Sequence, residues 1–179
     1  MKHTHLLHRR LLLAQAAGAA LVVAALPGCG FALRGTPKFA FESLRLQGSE
    51  STPVARELQQ TLVDAGVRVF GTALPASPEG ETGQVVLTVL ADQRERSVVG
   101  QTAAGQVREL QLRTRFRFHL ATAAGKPLLE ETELLLERDI SFTETAVLAK
   151  EVEEALLYRD MQSNIVQQVM RRLAAARAH

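Results

Sequence analysis

The chain has 179 residues, with 21 lysines and arginines against 19 aspartates and glutamates. The first 28 residues contain three of the basic residues and none of the acidic ones, so the remainder has 18 basic and 19 acidic residues and is nearly neutral. This charge gives no reason to expect a nucleic-acid partner. There is one cysteine, and three of the five histidines lie in the first 28 residues. A disulfide, a metal cluster or a Cys/His catalytic pair is therefore not expected.

The N-terminus has the layout of a bacterial secretory leader that ends in a lipobox. Three basic residues come first, residues 11–26 are uncharged and rich in Leu, Ala and Val, and the sequence Leu-Pro-Gly-Cys then ends at Cys29. A transmembrane anchor and a soluble protein with a hydrophobic start are the alternatives, but a membrane span usually needs about 18–20 apolar residues. We therefore predict that residues 1–28 are a signal peptide, which is removed, and that Cys29 is lipidated.

The rest of the chain is predicted to form a tether and one domain. Residues 29–38 are interrupted by Gly and Pro, which is typical of an irregular segment, and they form the lipidated N-terminal tether. Residues 39–179 are enough for a single α+β domain with its own core.

This domain is predicted to open with a strand, a helix and a second strand. Residues 41–47 alternate between apolar and polar side chains and form the first strand. Thr52 is the expected N-cap of the helix, with Pro53 at the first helical position and Gly66 after the last turn. Residues 67–70 form the second strand. Such a compact strand–helix–strand unit indicates a parallel pair with a right-handed crossover.

Three more strands are expected after a loop at residues 71–83. The third starts at Gln84 and continues through polar residues to Ser97, and a Gly/Ala/Thr connection follows at 100–105. The fourth, residues 110–120, has the clearest alternation. A turn at 125–127 then leads to a fifth strand, whose apolar side carries Leu134, Leu136 and Ile140.

A long helix over residues 146–176 is predicted to close the domain. Phe116 and Phe118 of the fourth strand should face the helices and pack against residues 156–169. Together these elements predict an α+β two-layer sandwich, in which two helices pack on one face of a four- to five-stranded, mixed and mostly antiparallel sheet. The apolar residues predicted to line this helix are Leu148, Val152, Leu156, Ile165, Val169 and Leu173.

No set of residues predicts an enzyme. The chain has no Gly-x-Ser-x-Gly elbow, no His-Glu-x-x-His, no P-loop and no Cys-x-x-Cys. The paired carboxylates at 130–131 and 153–154 are adjacent in sequence, so a strand or a helix would point the two members of each pair apart. We expect no catalytic residue, no metal and no cofactor.

Three arginines at alternate positions of the fourth strand allow two interpretations. Arg113, Arg115 and Arg117 could clamp phosphates on one face of the sheet. Alternatively, the hairpin places Arg117 opposite Glu133 and Arg113 opposite Glu137, because the apolar faces fix the parity of the pairing. We favour this ladder of ion pairs on a solvated face.

Four other basic residues are the candidates for binding an anionic ligand. Arg94, Arg96 and Arg108 lie in or beside the connection between the third and fourth strands and have no obvious acidic partners in sequence. Lys150 lies at the start of the last helix. Solvent-exposed side chains without a ligand are the alternative for all four.

The segment from Cys29 to Gly35, Cys-Gly-Phe-Ala-Leu-Arg-Gly, resembles the LPS-assembly lipoprotein LptE family, whose mature chains begin Cys-Gly-aromatic-x-Leu-Arg. The resemblance implies that Lys150 corresponds to a basic residue through which members of the family contact lipopolysaccharide. It also implies a second basic residue in the connection between the third and fourth strands. The candidates for that second residue are Arg94, Arg96 and Arg108.

The same resemblance implies partners and a location. The protein would be the lipoprotein subunit of the outer-membrane lipopolysaccharide translocon, a plug inside the LptD β-barrel that binds lipopolysaccharide. The lipid on Cys29 would hold it on the periplasmic side of the outer membrane, since Gly30 rather than Asp follows the cysteine. A stand-alone lipid-anchored periplasmic carrier or a structural adaptor is the competing interpretation, and a carrier should have an apolar cavity. A lipid-anchored hydrolase would need a nucleophile–base pair, and none can be assembled.

Overall fold

The computed structural model describes residues 37–71, 83–142 and 147–176, without the side chain of residue 147. The predicted signal peptide, Cys29 and most of the tether lie outside the described residues, as does most of the 71–83 loop. Among the described residues, no helix is both long and apolar enough to cross a membrane.

The described residues form five strands and two helices. The sheet has the order β2-β1-β3-β4-β5, in which β1 pairs in parallel with β2 and β3 while the long β3–β4 and β4–β5 pairs are antiparallel. This is the predicted α+β arrangement with a mixed sheet. In chain order the elements are β1 (Ser43–Gly48), α1 (Pro53–Asp64), β2 (Arg68–Phe70), β3 (Gln84–Gln101), β4 (Val107–Thr122), β5 (Pro127–Ser141) and α2 (Val147–Ala175).

The predicted strand–helix–strand opening is confirmed, including the end of its helix. Leu44 of β1 pairs with Val69 of β2 in the parallel register. Gly66 follows α1 with a φ of +87°, and the amide of Val67 donates to the carbonyl of Leu62 at 3.0 Å. This 6→1 bond, together with a left-handed glycine, is the Schellman ending that a glycine at this position favours.

The beginning of α1 differs from the prediction in the side chain that caps it. Thr52 is the N-cap residue, but its hydroxyl donates to the Ser49 carbonyl at 2.6 Å and does not cap the helix. The cap comes from β3, since Asp92 Oδ2 accepts the amides of Val54 at 2.9 Å and Ala55 at 3.3 Å. A carboxylate at this end of a helix satisfies free amides and suits the helix dipole.

A β-bulge in β3 brings Asp92 to the helices. Val89 is paired with Phe118 and Ala91 with Arg117, so Leu90 is an extra residue with no partner on β4. Because side chains alternate along a strand, one extra residue exchanges the two faces of everything that follows. Odd-numbered residues of β3 face the helices before Leu90, and even-numbered residues face them from Asp92 to Val98, after which the register shifts again.

The interior consists of two apolar clusters. The larger lies between both helices and the sheet, and there Phe116 and Phe118 are fully buried together with Ile165, Val166 and Val169 of α2, as predicted. The smaller cluster lies near the β3–β4 connection, which we call the distal end of the sheet. Its buried members are Leu110, Leu112, Ile140, Tyr158 and Met161.

The predicted apolar stripe of α2 is wrong in its N-terminal half. Leu148, Val152 and Leu156 are exposed by 79%, 62% and 56%. Leu156 precedes the buried Ile165 by nine residues, or two and a half turns at about 3.6 residues per turn, so the two lie on opposite sides of the helix. Tyr158 and Met161 take the buried positions. The predicted stripe is correct from Ile165 to Leu173.

Candidate functional site

The bulge in β3 also places two of the candidate basic residues. Arg94 pairs in register with the buried Thr114, and Arg96 with the buried Leu112. Both arginines therefore lie on the face that α2 covers. The structure continues β3 to Gln101, so these arginines belong to a strand and not to the connection, which is residues 102–106.

Arg94 is part of a network that joins three elements. Its guanidinium carbon lies 5.2 Å from the centre of the Tyr158 ring, and Nη2 donates to Gln162 Oε1 at 2.5 Å. Gln162 in turn donates through Nε2 to Glu57 Oε2 of α1 at 2.6 Å and to the Pro53 carbonyl at 3.1 Å. An arginine held on an aromatic face and by an amide has a packing role already.

Arg96 and Lys150 each pair with an acidic residue of α2. Arg96 Nε lies 3.4 Å from Glu154 Oε2, and Lys150 Nζ lies 2.8 Å from Glu153 Oε2. Lys150 Nζ also donates to Ser141 Oγ at 3.2 Å, which ties the start of α2 to the end of β5. An anionic ligand at either cation would have to compete with these carboxylates.

Arg108 differs from the other three candidates. It is exposed in β4 and lies at an irregularity of the β3–β4 register, where Glu109 pairs with Gly100 and Val107 with Gln101. Within residues 37–71, 83–142 and 147–176, its guanidinium makes no hydrogen bond or ion pair, while its backbone carbonyl accepts the Phe142 amide at 2.8 Å. It is therefore the most available cation of the four.

Together the four predicted cations lie around the distal apolar cluster. Arg94 and Arg96 approach it from β3, Arg108 from β4 and Lys150 from α2, while their acidic partners Glu153 and Glu154 lie on α2. Cations beside an apolar surface suit an amphiphile with anionic groups, because these cations can release their carboxylate partners and bind phosphate instead. We define these four residues as the distal cation cluster.

Tyr158, which the sequence reasoning did not select, is the central side chain of this region. Its hydroxyl donates to the Glu95 carbonyl at 2.6 Å. Burial raises the pKa of this hydroxyl above its ordinary value of 10.0, and the nearby Glu154 adds to the rise, while Arg94 and Arg96 oppose it. The phenol is therefore neutral at physiological pH and remains a donor. Tyr158 lies seven residues before Ile165, which is two turns along one helix face, and this spacing could have identified it as a buried residue.

The face of the sheet away from the helices carries the predicted charge ladder. Arg113 is opposite Glu137 and Arg117 is opposite Glu133, as the parity argument predicts. The ion pairs follow the register at Arg113, whose Nε lies 2.7 Å from Glu137 Oε1, but Arg117 lies 3.2 Å from Glu131 instead. Glu133 is 3.6 Å from Arg115. Since all three arginines have acidic partners, the structure favours the ladder over a phosphate clamp.

The described residues contain no cluster of His, Cys, Asp and Glu side chains that could hold a metal ion. Two shallow pockets are lined entirely by residues that the structure describes. One, of about 220 Å³, lies at the distal end and includes Arg96, Val98, Val107 and Phe142 in its lining. The second is of similar volume and is lined in part by Phe41, Val85 and Leu128.

The sequence of the folded domain matches the model of a family described as LptE: Lipopolysaccharide-assembly, over residues 41–173. The chain belongs to the LptE family. The match begins twelve residues after Cys29, so it is independent of the N-terminal motif. Membership gives the protein a role in lipopolysaccharide assembly, in a non-enzymatic family of outer-membrane-associated lipoproteins. No curated protein shows significant similarity to the chain.

Solved structures show the same fold. An uncharacterized lipoprotein B from Nitrosomonas europaea is 26% identical, with a TM-score of 0.64, and the match covers 84% of this chain and 99% of that one. The rare lipoprotein B from Shewanella oneidensis is 24% identical, with a TM-score of 0.58 and coverage of 74% and 94%. A minor lipoprotein from Acinetobacter baumannii, at 21% identity, a TM-score of 0.58 and coverage of 77% and 94%, shares the fold.

Proposed function

We propose that this LptE-family chain works with an LptD-type outer-membrane β-barrel, as a plug in its lumen and as a subunit that binds lipopolysaccharide. Lipid chains on Cys29 would anchor it to the inner leaflet of the outer membrane, on the periplasmic side. We propose no cofactor, no metal and no catalytic activity for it.

The observation that carries the plug proposal is the ladder on the open face of the sheet. This face is covered by neither helix, yet its arginines are balanced by Glu131, Glu133 and Glu137. A face of mutually paired charges needs no oppositely charged partner and tolerates water. The interior of an outer-membrane barrel is polar and wet, so such a face suits it.

Binding of lipopolysaccharide is proposed for the distal cation cluster. The ligand carries phosphates on an acylated disaccharide, and the cluster offers cations next to exposed apolar side chains. We rank Arg108 first, because its guanidinium is exposed and free of partners among the described residues. Arg96 and Lys150 follow, each with one acidic partner to displace, and Arg94 is last because Tyr158 and Gln162 hold it.

The competing function, a stand-alone carrier of an apolar ligand, has less support. Sites that enclose small molecules usually have about 300–1,000 Å³. Both pockets described above are smaller, at about 220 Å³ each, and they are open to solvent at the ends of the sandwich. A structural adaptor without a barrel partner is the alternative that the experiment must distinguish from the plug.

The test is recovery of partners from outer membranes. A tagged full-length chain is extracted in mild detergent and purified, and the co-purifying proteins are identified and quantified. We expect one large β-barrel protein in amounts equal to the chain. Recovery of the chain without any barrel protein would contradict the plug function and favour an adaptor or carrier.

A further inference from the structure

Two cations of the distal cation cluster are already paired with carboxylates of α2. Glu154 Oε2 lies 3.4 Å from Arg96 Nε, and Glu153 Oε2 lies 2.8 Å from Lys150 Nζ. We call Glu153 and Glu154 the competing carboxylates. They are successive residues of one helix, so the same short segment of α2 pairs with a cation of β3 and with a cation of α2 itself.

Each of these two pairs has one member that is largely covered. The side chains of Glu154 and Lys150 are 21% and 20% exposed, whereas every member of the ladder pairs is exposed by 34% or more. Salt and water screen partly covered charges less than exposed ones. An anion that arrives from solvent therefore has to displace a carboxylate that is already in place.

The surroundings of the two cations suit an exchange of one anion for another. Arg96 is part of the lining of the distal pocket, together with Val98, Val107 and Phe142, so a guanidinium released by Glu154 would lie beside an apolar surface. Carboxylates and phosphates use the same N–H donors of arginine and lysine, so one group excludes the other. Lys150 also donates to Ser141 Oγ at 3.2 Å, a contact that does not depend on Glu153.

We propose that the competing carboxylates occupy Arg96 and Lys150 when no lipopolysaccharide is bound, and that they thereby lower its affinity. This inference rests on the proposed binding at the distal cation cluster and adds the control of that site. The apparent affinity for a ligand falls with the fraction of the protein in which its binding groups are free. A subunit that takes part in assembly has to release its ligand, and an internal competitor favours release because the carboxylate returns to the cation.

The decisive variant is Glu153→Gln with Glu154→Gln, which removes both competitors and leaves the cations intact. The matched control is Glu130→Gln with Glu151→Gln, which removes the same charge from exposed residues that form no ion pair in the described ranges. Each protein is the chain from residue 29 onward with Cys29→Ser, so that no lipid anchor contributes to binding.

The measurement is equilibrium binding to lipopolysaccharide. We expect the decisive variant to bind about threefold to tenfold more tightly than the wild type, because one partly exposed ion pair changes an equilibrium by up to about fivefold. The control should stay within about twofold of the wild type. Both variants should melt close to the wild type, and the control accounts for the loss of acidic residues near the start of α2.

A further variant separates competition from simple repulsion of the ligand. Glu154→Asp keeps the negative charge but shortens the side chain, so the carboxylate withdraws from Arg96. Competition predicts that this variant binds lipopolysaccharide about twofold to threefold more tightly than the wild type. Repulsion by the charge alone predicts no gain, and that result would overturn the inference.

The outcomes separate the two proposals. If neither the wild type nor the decisive variant binds lipopolysaccharide, the proposed binding site and this inference both fail, whereas binding by the decisive variant alone would support both. If the wild type binds as tightly as the decisive variant, or if the decisive and control variants gain equally, the inference alone is overturned. Weaker binding by the decisive variant would also overturn it, by showing that the carboxylates support the site.

Discussion

Asp92 and Val54 are joined by a hydrogen bond of 2.9 Å between the Asp92 carboxylate and the Val54 amide, across 38 residues of sequence. The bond connects the middle of β3 to the first turn of α1. It shows that the helix is capped by the strand on which it packs and not by the residue that precedes it.

This cap gives the first prediction. Asp92→Ala should lower the free energy of unfolding by about 1–2 kcal/mol, the usual cost of losing an N-cap, because two amides lose their acceptor. Urea unfolding followed by circular dichroism measures the change. Asp92→Asn keeps an acceptor oxygen and should recover part of the loss.

Thr52→Ala is the matched control for the cap. Because the Thr52 hydroxyl bonds to the Ser49 carbonyl, its removal should cost less than Asp92→Ala, about 0.5–1 kcal/mol. A larger loss from Thr52→Ala than from Asp92→Ala would assign the cap to the local residue after all.

The second prediction concerns the two faces of β4. Phe116 is fully buried, so Phe116→Ala should lower the free energy of unfolding by about 3–5 kcal/mol. Arg115 lies on the opposite face and pairs with Glu133 at 3.6 Å and Glu95 at 3.8 Å. Arg115→Ala should cost about 1 kcal/mol or less, since partly exposed ion pairs contribute little. Equal effects in urea unfolding would show that the faces are assigned wrongly.

The third prediction is a loss of stability in alkali through Tyr158. Folding raises the pKa of its hydroxyl above 10.0, so the unfolded chain releases this proton at lower pH than the folded one. The stabilising contribution is complete below pH 10.0 and is lost as the pH rises through the raised value. Urea unfolding at a series of pH values from 8 upward should show this decline.

Tyr158→Phe separates this effect from the other groups that titrate in alkali. The variant should be less stable by about 1 kcal/mol at neutral pH, because it loses the bond to the Glu95 carbonyl. Its stability should then fall less steeply in alkali than that of the wild type. Identical slopes would mean that Tyr158 does not titrate as described.

The fourth prediction tests ligand binding at the distal cation cluster. Arg96→Gln with Lys150→Gln should weaken lipopolysaccharide binding to the soluble domain about tenfold, and binding by the wild type should weaken as salt rises, since exposed charges are screened over roughly 8–10 Å at physiological ionic strength. The melting temperature should fall modestly, because Lys150 loses its bonds to Glu153 and Ser141, but the domain should stay folded at the temperature of the binding measurement. Neutral substitutions are preferred, since acidic ones would face Glu153 and Glu154.

Arg56→Gln with Arg171→Gln removes the same charge from exposed sites on α1 and α2. This control should bind lipopolysaccharide as the wild type does. If both double variants bind equally, overall charge and not the cluster controls the affinity. Arg108→Gln, tested alone, should show a larger loss than Arg94→Gln.

The fifth prediction concerns the anchor. Cys29→Ser should prevent acylation and leave an uncleaved or soluble periplasmic form. Each buried CH₂ of a lipid chain contributes about 0.8 kcal/mol, so the acylated wild type should remain with membranes through a salt wash. Mass spectrometry of the N-terminus and fractionation of membranes provide the measurement. A cleaved, membrane-bound Cys29→Ser protein would contradict the lipobox.

The sequence was sufficient to predict the regular parts of the fold. The parallel opening follows from Pro53 and Gly66, and the β4–β5 register follows from two alternating faces that can pair in only one parity. The sequence also selected Arg94, Arg96, Arg108 and Lys150 as candidates for binding an anionic ligand. It could not show that Arg96 pairs with Glu154, because that contact depends on how α2 lies across β3. The Lys150–Glu153 pair, by contrast, lies within α2 at a spacing of three residues and could have been predicted from helical geometry.

The bulge in β3 and the buried face of α2 could not be predicted from the sequence, for related reasons. The bulge at Leu90 lies within an unbroken apolar run, Val89-Leu90-Ala91, in which alternation gives no information about phase. In α2, Leu148, Val152 and Leu156 are exposed while Tyr158 and Met161 are buried, so hydrophobicity alone selects the wrong face. Continuing the face backwards from Ile165 by one and two turns gives Met161 and Tyr158, as the structure has it.

The unpaired Leu90 determines which positions of β3 tolerate polar substitutions. Before it, polar substitutions should be costly at odd-numbered residues such as Leu87, whereas beyond it the odd-numbered residues, such as Glu95, are the permissive ones. Deleting this single residue would restore one alternation from Gln84 to Val98 and turn Asp92, Arg94 and Arg96 toward the ladder, where like charges already lie. The number of residues in β3 therefore decides where its apolar, buried part ends and its cationic part begins. A one-residue deletion would remove this boundary, whereas most point substitutions would not.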